Sequence, residues 1–195
     1  AGYCSPVVFD FGGYRHVVGS SASCYYGVDA STGRLLWKVD YQTIHEVSVT
    51  DAVVKDGYIC ISGAYGKGTL VFKLVPSGSR FSAQTVWQSE LMDNEVGGII
   101  LHEGYLYGTG YNSRGLFCID FMTGKQMWNN PRTARGSVTF ADGMIYLIDE
   151  RTGNMSLSKA APGSYSSGGQ FKVSSGGQGP YWAHPVVCGK RLYVR

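Results

Sequence analysis

The sequence predicts an all-β fold: a β-propeller of four-stranded antiparallel blades, four complete and a fifth present as its first two strands, hence an incomplete ring. Three observations carry that expectation. An eleven-residue phrase occurs twice, at Gly27 to Trp37 (GVDASTGRLLW) and Cys118 to Trp128 (CIDFMTGKQMW), sharing Asp, then Thr-Gly, then a Trp four positions after the Gly. Short β-type hairpin runs recur around Gly13, Gly57, Gly104, Gly143 and Lys190, at separations of 44, 47, 39 and 47 residues. A period of that length with four strands per unit is the spacing of propeller blades. Finally, apolar residues alternate or run continuously and never follow a helical period, while 28 glycines and 14 tyrosines among 195 residues suit short strands and tight turns.

Each unit opens on a hairpin. The five runs are Val7 to Val18, Ala52 to Ser62, Gly98 to Gly108, Ser137 to Ile148 and Pro185 to Arg195. Asp56-Gly57, Glu103-Gly104 and Asp142-Gly143 supply the positive φ that a two-residue turn demands. A second, variable turn follows at 20–23, 65–68, 112–115 and 151–154. The third strand then enters the Asp-x-x-Thr-Gly turn. There Asp29 and Asp120 can accept backbone N–H groups, and Gly33 and Gly124 can adopt the left-handed conformation. The fourth strand carries Trp37, Trp87 or Trp128. Strands apolar on both faces, as in Leu35-Leu36-Trp37, predict sheets sandwiched between neighbours, with the Trp as an inter-blade packing residue. The second unit replaces the motif with 73–78 and delays its Trp to Trp87. The fourth lacks the Trp and passes through the Gly/Ser-rich stretch 163–170, expected as a loop or a loosely ordered outer edge. The blades fall at about 5–46, 47–96, 97–135, 136–180 and 181–195 of one propeller segment.

Composition limits the partners. Seventeen Lys and Arg against fourteen Asp and Glu give a net charge of +3 with no basic stripe, which argues against nucleic acid. No apolar run approaches the roughly 20 residues of a membrane span. The five cysteines lack CxxC spacing and lie mostly in strand-like runs, as buried thiols do, leaving one disulfide open. His16, His45, His102 and His184 are too dispersed for a metal site, and neither GxSxG nor a P-loop occurs.

The two phrases resemble the tryptophan-docking motif of pyrroloquinoline-quinone (PQQ) dehydrogenases and of the wider PQQ-like repeat propellers. Asp29 and Asp120, Thr32-Gly33 and Thr123-Gly124, and Trp37 and Trp128 match, while Gly27 and Cys118 stand where that family usually has Ala. The resemblance implies a ring of seven or eight blades, and WAHPVVCGKRLYVR is similar to the last blade of secreted bacterial members. The chain therefore reads as the C-terminal half of a longer bacterial, extracytoplasmic protein: periplasmic, secreted or cell-surface. Either that protein carries further blades, or two chains associate to close the ring. The family's enzymes use a Cys-Cys disulfide, a calcium held by Glu and Asn, and an Asp base. This sequence has no Cys-Cys dipeptide and no assignable ligand set. The expectation is a non-catalytic binding or scaffold module for a protein, peptide or carbohydrate, with no catalytic residue, no metal, and neither PQQ nor calcium. The alternative is a fragment of a PQQ-dependent sugar or alcohol dehydrogenase.

In a propeller, the segments leading into each first strand gather on one face around the axis, where loops on a rigid scaffold bind ligands. Here they bring His45, Glu46 and Asp51, then Asn94 and Glu95, then Arg132 and Arg135, then Trp182 and His184. These nine are the candidate ligand-binding residues.

Overall fold

The computed structural model describes residues 2–173 and 178–195, and every regular element among them is a β-strand. Blade 1 is the meander β1 (Val7–Phe11), β2 (Tyr14–Ser20), β3 (Cys24–Asp29) and β4 (Leu35–Asp40). Blade 2 follows as β5 (Val53–Lys55), β6 (Tyr58–Gly63), β7 (Gly68–Ser77) and β8 (Arg80–Ser89). Blade 3 comprises β9 (Ile99–His102), β10 (Tyr105–Thr109), β11 (Leu116–Asp120) and β12 (Gln126–Asn130). Blade 4 comprises β13 (Gly136–Ala141), β14 (Met144–Asp149), β15 (Asn154–Lys159) and β16 (Ser167–Lys172). A two-stranded sheet of β17 (Val186–Cys188) and β18 (Arg191–Tyr193) ends the array. The turns obey the sequence: Gly57, Gly104 and Gly143 have φ of 78°, 85° and 73°, and Lys190 takes the left-handed role at 62°.

Successive residues of a strand point to opposite faces, and here each face meets a different blade. Ile59, Ile61, Leu70 and Phe72 of blade 2 pack against Val18, Leu36 and Trp37 of blade 1. Their neighbours in sequence, Cys60 and Val71, pack the other way, against Leu106, Phe117 and Ile119 of blade 3. In blade 3 the alternate residues Tyr107, Leu116 and Cys118 join Val138, Ile145 and Leu147 of blade 4. This two-sided burial explains the continuous apolar runs and the buried thiols of Cys24, Cys60 and Cys118.

The Asp-x-x-Thr-Gly turns close as Asx turns. Asp29 Oδ1 accepts Ser31 N–H at 2.9 Å, Asp29 Oδ2 accepts the Thr32 hydroxyl at 2.9 Å, and Gly33 has φ 70°. Asp120 Oδ1 accepts Met122 and Thr123 N–H at 3.0 and 2.8 Å, and Gly124 has φ 72°. The third-to-fourth strand ladders all carry a bulge, after Gly27, Val71, Cys118 and Leu157, which aims the fourth-strand side chain toward the next blade. Trp87 lies over Gly124 of blade 3 and donates its indole N–H to Phe121 O at 2.8 Å, and Trp128 donates to Ala161 O of blade 4 at 2.8 Å. Ring burial outweighs these bonds. One neutral hydrogen bond contributes about 1 kcal/mol net, whereas 150–250 Å² of buried aromatic surface contributes about 4–6 kcal/mol.

Trp37 is the exception. In blade 2 the third strand β7 continues as ladder to Ser77, so Trp37 does not meet the turn carbonyl that Trp87 and Trp128 find. Its indole N–H goes back to His16 Nδ1 at 3.2 Å, and its ring covers Gly27 and meets Phe72 edge-on at 5.5 Å between centroids. His16 Nε2 sits 3.1 Å from Phe11 O. Accepting at Nδ1 and donating at Nε2, the buried imidazole is neutral.

Two local expectations are corrected, and a third resolves into one of its two alternatives. The hairpin of blade 1 is two residue pairs longer than the others. Arg15 O, not Gly13 O, therefore receives the cross-strand Ala30 N–H, in the role of Gly57, Gly104 and Gly143 for Leu74, Phe121 and Ala160. The second unit is extended rather than degraded, since β7 and β8 hold 10 residues each. Phe81 at their tip packs on Phe11, Tyr14 and His16 at centroid distances of 5.9, 5.8 and 4.9 Å, so one long hairpin covers the other. The stretch 163–170 is not merely a loop, because its second half begins the outer strand β16, exposed along its length. Residues 174–177 of the expected fourth blade lie outside the described residues.

Two outcomes follow from Trp37 and its contacts. Gly27→Ala drives a methyl into the indole, an overpacking that costs about 1–3 kcal/mol. Chemical denaturation measures it, and an unchanged midpoint would contradict the contact. Burial holds the His16 pKa below its ordinary value. Protons then bind the unfolded chain first: the stabilisation is present above the unfolded value of about 6.5 and is lost as pH falls below it. Denaturation between neutral and mildly acidic pH should show a downward slope that a His16→Gln variant lacks.

Candidate functional site

The lead-in segments and the second-to-third strand loops form one face of the propeller. Position there is set by Asp93, which is fully buried just ahead of Asn94. Its carboxylate accepts N–H groups from Gly66 at 3.0 Å, Tyr111 at 2.8 Å, Asn112 at 2.9 Å and Ser113 at 3.0 Å, with the Ser113 hydroxyl at 2.7 Å. One side chain thus fixes the loops of blades 2 and 3 and aims Tyr65 and Tyr111 at each other, 4.7 Å apart.

A continuous polar and aromatic rail crosses the face from these rings. His45 meets the Tyr65 ring edge-on at 4.5 Å, and the Tyr65 hydroxyl donates to Glu95 Oε1 at 2.8 Å. That bond to Glu95 leads the effects pushing the Tyr65 phenol up to about 12. Arg135 stacks its guanidinium over Tyr111 at 4.4 Å, lies 3.3 Å from Glu95 Oε2, and donates from Nε to Glu150 Oε1 at 2.6 Å. Burial would lower the Arg135 pKa, but the hydrogen bond and charge of Glu150, with the charge of Glu95, raise it instead. Glu150, only 3% exposed, receives the Trp182 indole N–H on its other oxygen at 3.3 Å.

Beside the rail a cavity of about 570 Å³ opens among Tyr3, Val47, Val49, Val96, Trp182 and His184, with Asp51 and Glu95 in its wall. Large apolar side chains stand free on this face: Tyr3 is 69% exposed, Ile44 75% and Trp182 57%.

Of the nine predicted residues, the structure brings His45, Glu95, Arg135 and Trp182 into the rail. Asp51, Glu95, Trp182 and His184 line the cavity, where Asp51 also accepts Ser5 N–H at 2.5 Å. Asn94 is buried and structural, bonded to the Thr50 hydroxyl at 3.0 Å and to Thr109 O at 2.8 Å. Glu46 receives Gln42 Nε2 at 3.0 Å, and Arg132 lies in a separate groove between blades 3 and 4. Sequence reasoning placed Asp93 in the lead-in segment without its loop-ordering role, and omitted Tyr65, Tyr111 and Glu150. A signal existed for the last: Asp149-Glu150-Arg151-Thr152-Gly153 is a third Asp-x-x-Thr-Gly copy, placed after the second strand instead of the third. Asp149 Oδ1 accepts Arg151 N–H at 2.8 Å and Oδ2 the Thr152 hydroxyl at 2.6 Å, so the same turn is built on the opposite face. Among the described residues no three His, Cys, Asp or Glu side chains converge as a metal site, and no helix is long and apolar enough to cross a membrane.

A family model described as "Outer membrane protein assembly factor BamB" matches residues 5–130 and 78–162. Among solved structures, the fold is similar to BamB from Moraxella catarrhalis, with TM-score 0.55 and 18% identity over 81% of this chain and 46% of that one. It is similar to the WD40 domain of coronin from Toxoplasma gondii, with TM-score 0.53 and 10% identity over 84% and 43%. A europium-containing methanol dehydrogenase is matched with TM-score 0.44 and 14% identity over 58% and 23%, too slight a likeness to argue from. The chain spans less than half the length of these solved proteins. No curated protein matches the sequence.

Removing the Arg135 guanidinium leaves the Glu150 carboxylate buried without its cation, at a cost of about 1–3 kcal/mol. Arg135→Ala should therefore be strongly destabilising, and adding Glu150→Gln should restore part of the loss. A double-mutant cycle by chemical denaturation tests this, and strictly additive effects would contradict the coupling.

Proposed function

The chain belongs to the PQQ-repeat propeller family described as outer membrane protein assembly factor BamB, and from that premise we propose that it is an extracytoplasmic, non-catalytic scaffold that holds a protein segment on its axial face. The observation that carries this is the pairing of an apolar cavity with an exposed apolar rim. Tyr3 and Trp182 stand exposed beside the wall of valines, and Ile44 is exposed on the segment that leads to them. Exposed apolar groups gathered on one face and bordered by a polar rail have the anatomy of a protein interface. The rail supplies a rigid frame, because its charges are paired with one another and its loops are tied to Asp93.

The lining also supports a reading without the quinone. PQQ carries three carboxylates and calls for cationic partners. The carboxylates in the cavity wall, Asp51 and Glu95, repel them, and Arg135 is occupied by Glu95 and Glu150.

A peptide-display selection against the chain tests the scaffold reading. Selected peptides should be rich in apolar residues, and Val49→Asp with Trp182→Ala should weaken them at least roughly tenfold, the loss of one buried side chain. Peptides indifferent to both substitutions would remove the axial face from the proposal. Titration with PQQ and calcium should leave absorbance and melting temperature unchanged. A rise of several degrees would favour the dehydrogenase alternative instead.

A further inference from the structure

A second concavity, of about 540 Å³, lies between blades 3 and 4. Four arginines line it: Arg114 from the second-to-third strand loop of blade 3, Arg132 and Arg135 from the segment joining the blades, and Arg151 from the displaced Asp-x-x-Thr-Gly turn. Only two carboxylates answer them, and both are engaged. Glu150 is paired with Arg135, and Asp149 accepts the backbone and hydroxyl groups of its own turn. Arg114, Arg132 and Arg151 are exposed, and among the described residues none of the three forms an ion pair. A cluster of three like charges on adjoining loops is self-repelling, so an anion placed among them relieves repulsion as well as adding attraction.

We propose that this groove binds an acidic peptide segment, with Asp or Glu carboxylates held by the guanidinium forks of Arg114, Arg132 and Arg151. Guanidinium matches carboxylate geometry with two parallel hydrogen bonds, which selects arginine over lysine for such a task. The groove is far larger than a small inorganic anion, which leaves room for several residues of an extended segment between the arginines. The site is separate from the axial cavity, and its occupancy does not depend on the scaffold reading.

Fluorescence anisotropy on the whole chain tests it, with a fluorescein-labelled peptide of alternating Glu and Gly and its Gln isostere. The Glu peptide should bind, and the Gln isostere at least roughly tenfold more weakly. The triple variant Arg114→Ala, Arg132→Ala, Arg151→Ala should lose a similar factor while keeping its melting temperature, since all three side chains are exposed. Lys55→Ala, Lys125→Ala, Lys172→Ala removes the same charge elsewhere and should retain binding. Equal binding of the Gln isostere to the unaltered protein would overturn the proposal, a result that does not depend on any variant folding. Undiminished affinity of the arginine variant would also overturn it. So would displacement of the peptide by inorganic phosphate more effectively than by chloride of equal ionic strength, which would mark a small-anion site. Tighter binding of a single-stranded oligonucleotide than of the peptide would replace it with a nucleic-acid groove. Val49→Asp alone, which lies in the axial cavity and not in the groove, should leave acidic-peptide binding unchanged, so failure of one site is distinguishable from failure of the other.

Discussion

A propeller blade has no solvent side, and everything else in this structure depends on that constraint. Blades 2 and 3 each send alternate residues to two different neighbours, Ile59 one way and Cys60 the other, Leu106 one way and Tyr107 the other. A substitution on either face is therefore an inter-blade event. The hydrophobic term is collected between sheets, not within them, while the backbone ladders settle direction and register. The fourth-strand tryptophans are the largest part of that burial, and the third-to-fourth strand turns of the next blade are the surfaces on which Trp87 and Trp128 settle. The Asp-x-x-Thr-Gly turn of blade 3 lies under Trp87 and the 159–163 turn of blade 4 under Trp128.

With packing confined to the flanks of the blades, the loops at the two ends are free to differ. One end is occupied by hairpin turns and tryptophan contacts. The other carries chemistry: a buried carboxylate at Asp93 that orders two loops, and an Arg135 guanidinium shared between two glutamates from different blades. Buried charges of this kind are costly to assemble and costlier to break, so they fix geometry more than they add stability. The face is rigid for that reason, and its exposed apolar rim is presented on a frame that does not need to fold on contact.

How much of this was legible in the sequence depended on periodicity. Strands, turns and blade number follow from a repeating pattern of Gly, Asp and Trp whose causes are local: positive φ, Asx bonding and strand alternation. The shift from Gly13 to Arg15 was hidden because a hairpin lengthened by two pairs keeps its alternation and moves only its turn. The extended hairpin of blade 2 looked like decay, since a missing turn motif and a longer strand leave the same gap in a repeat. At the candidate site, His45, Glu95, Arg135 and Trp182 could be placed on one face by topology alone. Their partners Tyr65, Tyr111 and Glu150 come from the second-to-third strand segments, and which of these meets which lead-in segment is set by the stacking of the blades and by no local spacing. Asp93 stands in the same lead-in segment as Asn94 and Glu95, and what stayed hidden was its role. A carboxylate preceding a strand reads as a surface group until its five donors are seen.

The long hairpin ending at Phe81 carries one more lesson. It protrudes at the end of the blades opposite the rail, and its added length was absorbed by a matching extension in blade 1 without disturbing the Asp93 and Arg135 contacts. Growth at that end is thus decoupled from the recognition face. The β7–β8 tip around Gly78, a left-handed glycine with nothing within 4 Å of where a side chain would stand, is a natural place to graft an epitope, a fluorophore or a whole guest domain.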